Sequence, residues 1–248
     1  MTGWLTNLQE EKQKAAEVIY TAYKCRGYNN FLLFDPHVAI ETLYSWSALN
    51  THDLAEYITP AIIELTKNVD IKQLHLIGHS LGAHIAGNIG RIYKEETGKT
   101  LPRITGLDPA RVCFNTGGGL RGLERGVADL VDVIHSNSGG LGAKDSIGDV
   151  DFFPNGAVVN MPGCSSLSCS HSRSWRYYAE SVYPGNENGF LAKRCNLFLA
   201  YKQELCSGED IIPMGYATPT NATGNYYLET NAESPYGFNS MTSVKCAN

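Results

Sequence analysis

One short stretch constrains the fold of this chain more than any other. An apolar run at residues 74–77 (LHLI) leads directly into residues 78–82 (GHSLG), and a helical pattern begins at Leu81 and continues to Glu96. A strand that turns sharply into a helix around G-x-S-x-G is typical of a nucleophile elbow, in which the hydroxyl of the central serine, here Ser80, stands above the end of a sheet. A glycine-rich strand–helix turn without a chemical role is the alternative interpretation.

Strand and helix patterns alternate along most of the chain. Helical periodicity covers residues 8–24, 42–67, 81–96 and 172–181, and short apolar strands are predicted at residues 28–35, 74–77, 104–107 and 130–134. Pro60 is expected to kink or split the second of these helices. Residues 136–169 show no helical period, and the tail after Cys206 is rich in turn residues. We expect one domain over residues 1–248, with a mostly parallel sheet and helices on both faces.

Composition excludes several functional classes. Hydrophobic residues make up 43% and charged residues 18% of the 248 residues, which is enough for a sizeable core and argues against disorder. The formal net charge is −5, so we do not expect the broad basic face that a nucleic-acid partner would need. No apolar run approaches the roughly 20 residues that span a bilayer, and we expect no transmembrane segment.

The cysteines indicate an oxidising compartment. Among the seven, Cys164 and Cys169 lie close in sequence, as do Cys195 and Cys206, without histidines at zinc-finger spacing. Asn221 begins the sequence Asn-Ala-Thr, an acceptor for N-glycosylation, which points the same way. Because no signal peptide follows Met1, we expect that the natural N-terminus is missing from this sequence.

A serine hydroxyl needs a base and an orienting acid before it can attack a carbonyl group. In α/β-hydrolases the acid and then the histidine follow the serine along the chain. Asp108 follows Ser80 at the predicted end of a strand, and His171 lies later, between a cysteine pair and a predicted helix. The order therefore predicts an α/β-hydrolase fold with these three residues as a catalytic triad. Three further histidines are assigned to packing: His79 and His84 in the elbow and its helix, and His135 at a strand end.

At this point the chain resembles the pancreatic lipase family of secreted lipases and phospholipases, in its insect-type branch. The likeness covers nearly the whole chain, and residues 78–87 resemble the family's elbow at every position. Further matching segments occur in family order at residues 103–110 (RITGLDPA), 131–136 (VDVIHS), 151–156 (DFFPNG), 161–164 (MPGC) and 169–174 (CSHSRS). Their joint occurrence is very specific.

The resemblance implies a role for each candidate site residue. Ser80 is the nucleophile, Asp108 the orienting acid and His171 the base. The backbone N–H of Leu81 is one oxyanion donor. The second is the N–H of Trp4, because residues 2–4 (TGW) resemble the family's early His-Gly-aromatic loop. The family's first strands would then precede this sequence, and we expect them to be missing.

The resemblance also implies the disulfides Cys164–Cys169 and Cys195–Cys206. The pairing of the remaining cysteines stays open, since they form an odd set, one of which could have lost its partner with the missing N-terminus. These are Cys25, Cys113 and Cys246.

Departures from the family pattern concern the substrate. The lid between Cys164 and Cys169 is only four residues long, too short for an amphipathic helix, and residues 137–149 form another short, glycine-rich loop. Family members with a clipped lid tend to be phospholipases A1 or not to need interfacial activation. Glycines and Val127 replace most acidic residues of the family's calcium site, leaving Glu124 and a shifted Arg121, so we expect neither a metal nor another cofactor. We expect no C-terminal β-sandwich domain and no colipase partner.

The leading hypothesis is a secreted serine carboxylic-ester hydrolase that acts on a glycerolipid or phospholipid at a lipid–water interface and releases fatty acid. The short lid favours phospholipase A1 over a neutral triacylglycerol lipase. A non-catalytic lipid-binding or yolk-type protein of the same fold is the alternative from another class. Some relatives of the fold have a disabled triad, whereas Ser80 is present here.

Overall fold

The chain forms both helices and strands in the computed structural model, which describes residues 9–27, 30–35, 43–114, 119–206, 208, 210–241 and 246. The helices are α1 (Gln9–Arg26), α2 (Tyr44–Leu49), α3 (Thr51–Asn68), α4 (Leu81–Thr97), α5 (Leu167–Val182) and α6 (Phe198–Lys202), with a 3₁₀ turn at Ile71–Gln73. The strands are β1 (His75–His79), β2 (Leu101–Leu107), β3 (Ala128–Ile134), β4 (Val150–Pro154), β5 (Leu191–Arg194), β6 (Ile211–Pro213) and β7 (Gly224–Leu228).

These strands form one mostly parallel sheet, in the order β1-β2-β3-β4-β7-β5-β6. Strands β1 to β4 and β7 are parallel, while β5 runs antiparallel to both β7 and β6. His79 pairs with Leu107 and Leu107 pairs with Ile134, so β1, β2 and β3 end side by side. The residues that follow these three ends therefore emerge at the same edge of the sheet.

Helices cover both faces of the sheet. On one face, α1 and α5 bury Ile19 and Trp175 against side chains of β2, β3 and β4. On the other face, Ile58 of α3 and Ile89 of α4 pack against neighbours on β2 and β3. Successive side chains of β3 point to opposite faces of the sheet, so β3 contributes side chains to both cores. This arrangement confirms the predicted α/β-hydrolase fold. Within the described residues, no helix combines the length and the apolar character needed to cross a bilayer.

Two predicted elements differ from the structure. The predicted strand over residues 28–35 is not regular where the structure describes it, at residues 30–35, and there Phe31 packs its ring against Tyr20. The predicted helix over residues 42–67 is indeed split, but at Asn50, whose ψ of −4° separates α2 from α3. Pro60 lies inside α3, which continues past it.

Four strands lie where the sequence pattern predicted none. They are β4 within residues 136–169, β5 after the predicted helix at 172–181, and β6 and β7 in the turn-rich tail. Strand β7 occupies an interior place in the sheet between β4 and β5.

Candidate active site

Ser80 occupies a sharp turn between β1 and α4. Its φ of 56° and ψ of −123° lie in a region that residues other than glycine rarely adopt. The backbone N–H of Ser80 donates to the carbonyl of Leu107, 3.0 Å away on β2, which ties the turn to the neighbouring strand. A Cβ atom at Gly78 would lie 2.6 Å from Cα of Ala83, so the elbow closes only because residue 78 is a glycine.

Leu81 is the first residue of α4 and is fully buried. The first N–H groups of a helix have no acceptor within the helix, and the helix dipole adds positive potential at the same end. The Leu81 N–H therefore has the character of an oxyanion donor. The other expected donor, Trp4, lies outside the described residues.

Asp108 follows the end of β2 and is completely buried, with a φ of 44°. Its carboxylate is held by three donors. Oδ1 accepts the backbone N–H groups of Ser136 at 2.8 Å and Asn137 at 2.9 Å, while Oδ2 faces Nδ1 of His171 at 2.5 Å. The loop after β3 comes this close to Asp108 only because residue 142 is a glycine. A Cβ atom at this position would lie 2.5 Å from Cγ of Asp108.

His171 lies in the first turns of α5 and is only 7% exposed. Since its Nδ1 donates to an ionised carboxylate, the neutral ring carries its proton there and leaves Nε2 as the acceptor. The ring lies against that of His79, with centroids 4.3 Å apart, and His79 directly precedes Ser80. The structure thus brings His171 against Asp108 and beside the elbow of Ser80.

Each of the three histidines assigned to packing is hydrogen-bonded to a neighbouring residue. Nε2 of His79 donates to the carbonyl of His171, and burial lowers the pKa of His79 well below its ordinary value. Nε2 of His84 donates to the carbonyl of Ala110 at 2.8 Å, and burial lowers the pKa of His84 to about 4. Both rings are therefore neutral near pH 7.

His135 differs because both of its ring nitrogens face oxygen atoms. Nε2 lies 2.8 Å from Oδ1 of Asp151, and Nδ1 lies 3.1 Å from the carbonyl of Ala143. Two acceptor oxygens favour the imidazolium form, in which both ring nitrogens carry protons. Burial alone would lower the pKa of His135, but the hydrogen bond and charge of Asp151 outweigh it and raise the pKa. This pair holds the end of β3 beside the site.

The disulfides join Cys164 to Cys169 and Cys195 to Cys206, the two pairs that the resemblance implies. A third joins Cys25 to Cys246, a pairing that the sequence left open, and Cys113 is a free thiol in the part of the chain that the structure describes.

Within the Cys164–Cys169 loop, Ser166 caps α5 by accepting the N–H of Cys169. This loop is therefore continuous with the helix that carries His171.

The region of the family's calcium site holds an arginine cluster. The carboxylate of Glu124 accepts from Arg91 at 2.9 Å and from Arg121 at 2.7 Å. Burial is the largest single influence on the pKa of Glu124 and raises it, but the hydrogen bonds and charges of the two guanidinium groups together outweigh burial and lower the pKa. A cation at Glu124 would have to displace both arginines. The described residues contain no group of three or more histidine, cysteine or acidic side chains that could hold a metal ion.

Some residues around the acid were not predicted as part of the site. Ser136, Asn137 and Gly142 surround Asp108, and none of them had been assigned a role at the acid. Their contribution depends on backbone N–H groups and a missing side chain, which leave no recognisable pattern in one sequence.

The chain is similar to several known proteins. The family model described as Lipase matches residues 1–236. Vitellogenin-2 of Ceratitis capitata is 36% identical over 84% of this chain and 50% of its own length. Vitellogenin-3 of Drosophila melanogaster is 35% identical over 93% of this chain and 58% of its length.

A human pancreatic triacylglycerol lipase is 37% identical over 66% of this chain and 41% of its own length. The chain spans about half the length of the curated relatives it matches.

Proposed function

The chain belongs to the lipase family, and from this premise we propose that it is a serine carboxylic-ester hydrolase of glycerolipids with Ser80, Asp108 and His171 as its triad. The observation that carries the proposal is the buried His171–Asp108 hydrogen bond of 2.5 Å beside the strained turn of Ser80. A histidine held in this way has a fixed tautomer and presents its basic nitrogen away from the carboxylate.

In the proposed reaction, Oγ of Ser80 attacks the ester carbonyl while Nε2 of His171 takes the hydroxyl proton. The tetrahedral intermediate collapses to an acyl-serine, and His171 returns the proton to the departing alcohol. Water then attacks the acyl-serine while its proton passes to His171. Collapse of the second tetrahedral intermediate releases the fatty acid as His171 returns that proton to Oγ of Ser80. Asp108 remains ionised throughout and stabilises the imidazolium that forms twice in each cycle.

The negative oxygen of each intermediate needs donors on the side opposite the base. The N–H of Leu81 at the start of α4 is the first proposed donor, and the N–H of Trp4 is the second. Losing one such donor typically lowers kcat by about 100- to 1,000-fold.

An apolar surface next to the elbow supports a lipid substrate. The inner face of α2 buries Ala48 against Leu81. On its outer face, Trp46 is 58% exposed and Leu49 is 54% exposed. Leu43, just before the helix, is 78% exposed. No residue of α2 carries a charge. Such a face beside the reactive serine fits attachment to a lipid–water interface.

Phospholipase A1 activity is the finer proposal, and neutral triacylglycerol lipase activity is its alternative. The short Cys164–Cys169 loop, which runs straight into α5, supports the first because it leaves no separate lid helix over the site. Incubation with phosphatidylcholine vesicles and with trioleoylglycerol emulsions separates the two. We expect lysophospholipid and fatty acid from the vesicles, and faster release of diacylglycerol would favour the alternative.

A non-catalytic lipid-binding or yolk-type protein is the candidate from another class. The similarity to two proteins named vitellogenin favours it. The serine at position 80 and the Asp108–His171 bond argue for the enzyme. A protein of this kind would release no fatty acid from any ester.

We further propose that the enzyme is secreted. Three disulfides fit secretion into an oxidising compartment. Asn221 is exposed in a turn before β7 and is proposed to carry an N-linked glycan. We propose action without metal, colipase or nucleic acid.

Substitution of the nucleophile tests the proposal. Ser80→Ala should abolish hydrolysis of a dissolved short-chain ester while the protein keeps its melting temperature within a few degrees. Equal activity of Ser80→Ala and wild-type protein would remove Ser80 from the mechanism.

A further inference from the structure

The loop that follows β3 contacts both the acid and the base of the candidate triad. The N–H groups of Ser136 and Asn137 converge on Oδ1 of Asp108, which leaves Oδ2 for His171. These two donors fix the rotation of the carboxylate. An Asp108 side chain without them could turn Oδ2 away from the imidazole.

The hydroxyl of Ser136 reaches in the other direction, toward α5. Its Oγ donates to the carbonyl of His171 at 3.3 Å and accepts the N–H of Ser174 at 3.1 Å. Ser136 is fully buried, so water does not compete for these bonds. One residue therefore bonds to the carboxylate through its backbone and to the histidine's own peptide unit through its side chain.

The segment that carries Ser136 is itself firmly held. Its neighbour His135 donates its backbone N–H to Phe152 on β4 and is clamped by Asp151 and the carbonyl of Ala143. Asn137 accepts the N–H of Leu141 through its side chain and donates to the carbonyl of Val159. Ser136 thus stands on a rigid edge of the sheet.

We propose that Ser136 is a positioning residue, whose hydroxyl holds α5 at the distance and angle at which His171 meets Asp108. The inference rests on the proposed function for its catalytic consequence. Asp108 follows β2 and His171 lies on α5, and a misplacement of about 1 Å between catalytic groups can lower the rate about 100-fold. A bond from the Ser136 loop to each of them fixes their separation.

A structural role for the Ser136 hydroxyl is the simpler alternative, since buried hydroxyl groups are normally hydrogen-bonded. Ser174 offers a matched control. It is also fully buried, and its Oγ donates to the same carbonyl of His171 at 2.9 Å, but this bond lies within α5 and reaches no residue around Asp108. Ser136→Ala removes the link between the elements, whereas Ser174→Ala removes only a local bond.

The experiment compares these two variants in the full-length protein. Ester hydrolysis gives kcat and KM, and long-range ¹H–¹⁵N correlation of the imidazole gives the tautomer of His171 while the ring is neutral. We expect Ser136→Ala to lower kcat about 10- to 100-fold with KM changed less than about twofold, because substrate binding does not involve this link. We also expect a larger fraction of the Nε2–H tautomer in Ser136→Ala than in wild-type protein or Ser174→Ala.

The two readouts separate failure of the positioning role from failure of the proposed function. The positioning role would be overturned if Ser136→Ala kept the wild-type tautomer of His171, or if its kcat were no lower than that of Ser174→Ala. In that case, loss of activity in Ser80→Ala would still support the triad. If no variant or wild-type protein hydrolyses esters, the proposed function fails. The tautomer alone then decides whether Ser136 orients His171, because that measurement needs no substrate.

Discussion

Gly142 lies so close to Asp108 that no side chain fits between them, since a Cβ atom at position 142 would stand 2.5 Å from Cγ of the carboxylate. The φ angle of Gly142 is not positive, so its backbone conformation is open to alanine. The absence of a side chain, rather than backbone freedom, is what this position contributes.

We therefore expect Gly142→Ala to displace the carboxylate and lower kcat about 10- to 100-fold with little change in KM, measured with a dissolved ester. Gly139→Ala in the same loop is the control. Its φ of 78° strains an alanine, but a Cβ atom there would approach only Lys144, at 4.0 Å. Equal losses of kcat in the two variants would contradict the role of the close approach.

The His135–Asp151 pair predicts a pH-dependent contribution to stability. Folding raises the pKa of His135 above 6.5, so the stabilisation is fully present below about pH 6.5 and is lost as pH rises through the pKa of the folded state. Each pKa unit of the shift corresponds to about 1.4 kcal/mol.

Urea unfolding of wild-type protein and of the double variant His135→Gln/Asp151→Asn, which has neither titrating group, measures this contribution between pH 6 and 9. The difference in free energy of unfolding should be largest near pH 6 and should fall as the pH rises. A difference that stays constant or grows with pH would show that His135 is neutral in the folded protein.

Features of the fold could be predicted where the residues that form them are adjacent in sequence, and were missed where those residues lie far apart. The elbow at Ser80 was predictable because strand, turn and helix follow one another directly. Strand β7 was missed because its polar and aromatic residues (GNYYL) lack alternation, and its place beside β4 depends on pairing with residues 150–154. A split at Pro60, one of the two effects expected of this proline, is wrong, because α3 runs through Pro60 and the helical stretch divides at Asn50.

Within the site, the sequence predicted which side chains approach one another, but not what holds them. Asp108 and His171 were chosen from chain order, and the structure brings them together. The clamp of backbone N–H groups from Ser136 and Asn137 has no sequence signature, because every residue except proline carries such a donor.

The disulfide between Cys25 and Cys246 spans 221 positions and should stabilise the protein more than the short Cys164–Cys169 link, which spans five. By loop-closure entropy we expect the double variant Cys25→Ser/Cys246→Ser to lose about 5 kcal/mol of unfolding free energy and Cys164→Ser/Cys169→Ser about 2 kcal/mol. Urea titrations at 25 °C measure both. A larger loss from the short link would contradict the entropic explanation.

The apolar face of α2 predicts a specific effect on lipid binding. In an inactive Ser80→Ala background, which keeps the vesicles intact, Trp46→Ser should weaken binding to phosphatidylcholine vesicles about tenfold, because burial of this much aromatic surface contributes about 1–2 kcal/mol. Tyr57→Ser on α3, where the ring is 82% exposed, is the control. Vesicle sedimentation measures both, and equal weakening would assign no special role to α2.

The reaction of Ser80 with a fluorophosphonate tests the account most directly. Such a probe forms a stable phosphonyl ester only with a serine that a neighbouring base activates. Mass spectrometry of the labelled full-length protein should locate one adduct on the peptide that contains Ser80, with labelling slowed at least about 100-fold in His171→Ala. A folded protein that stays unlabelled, or that carries its adduct on another serine, would contradict the triad.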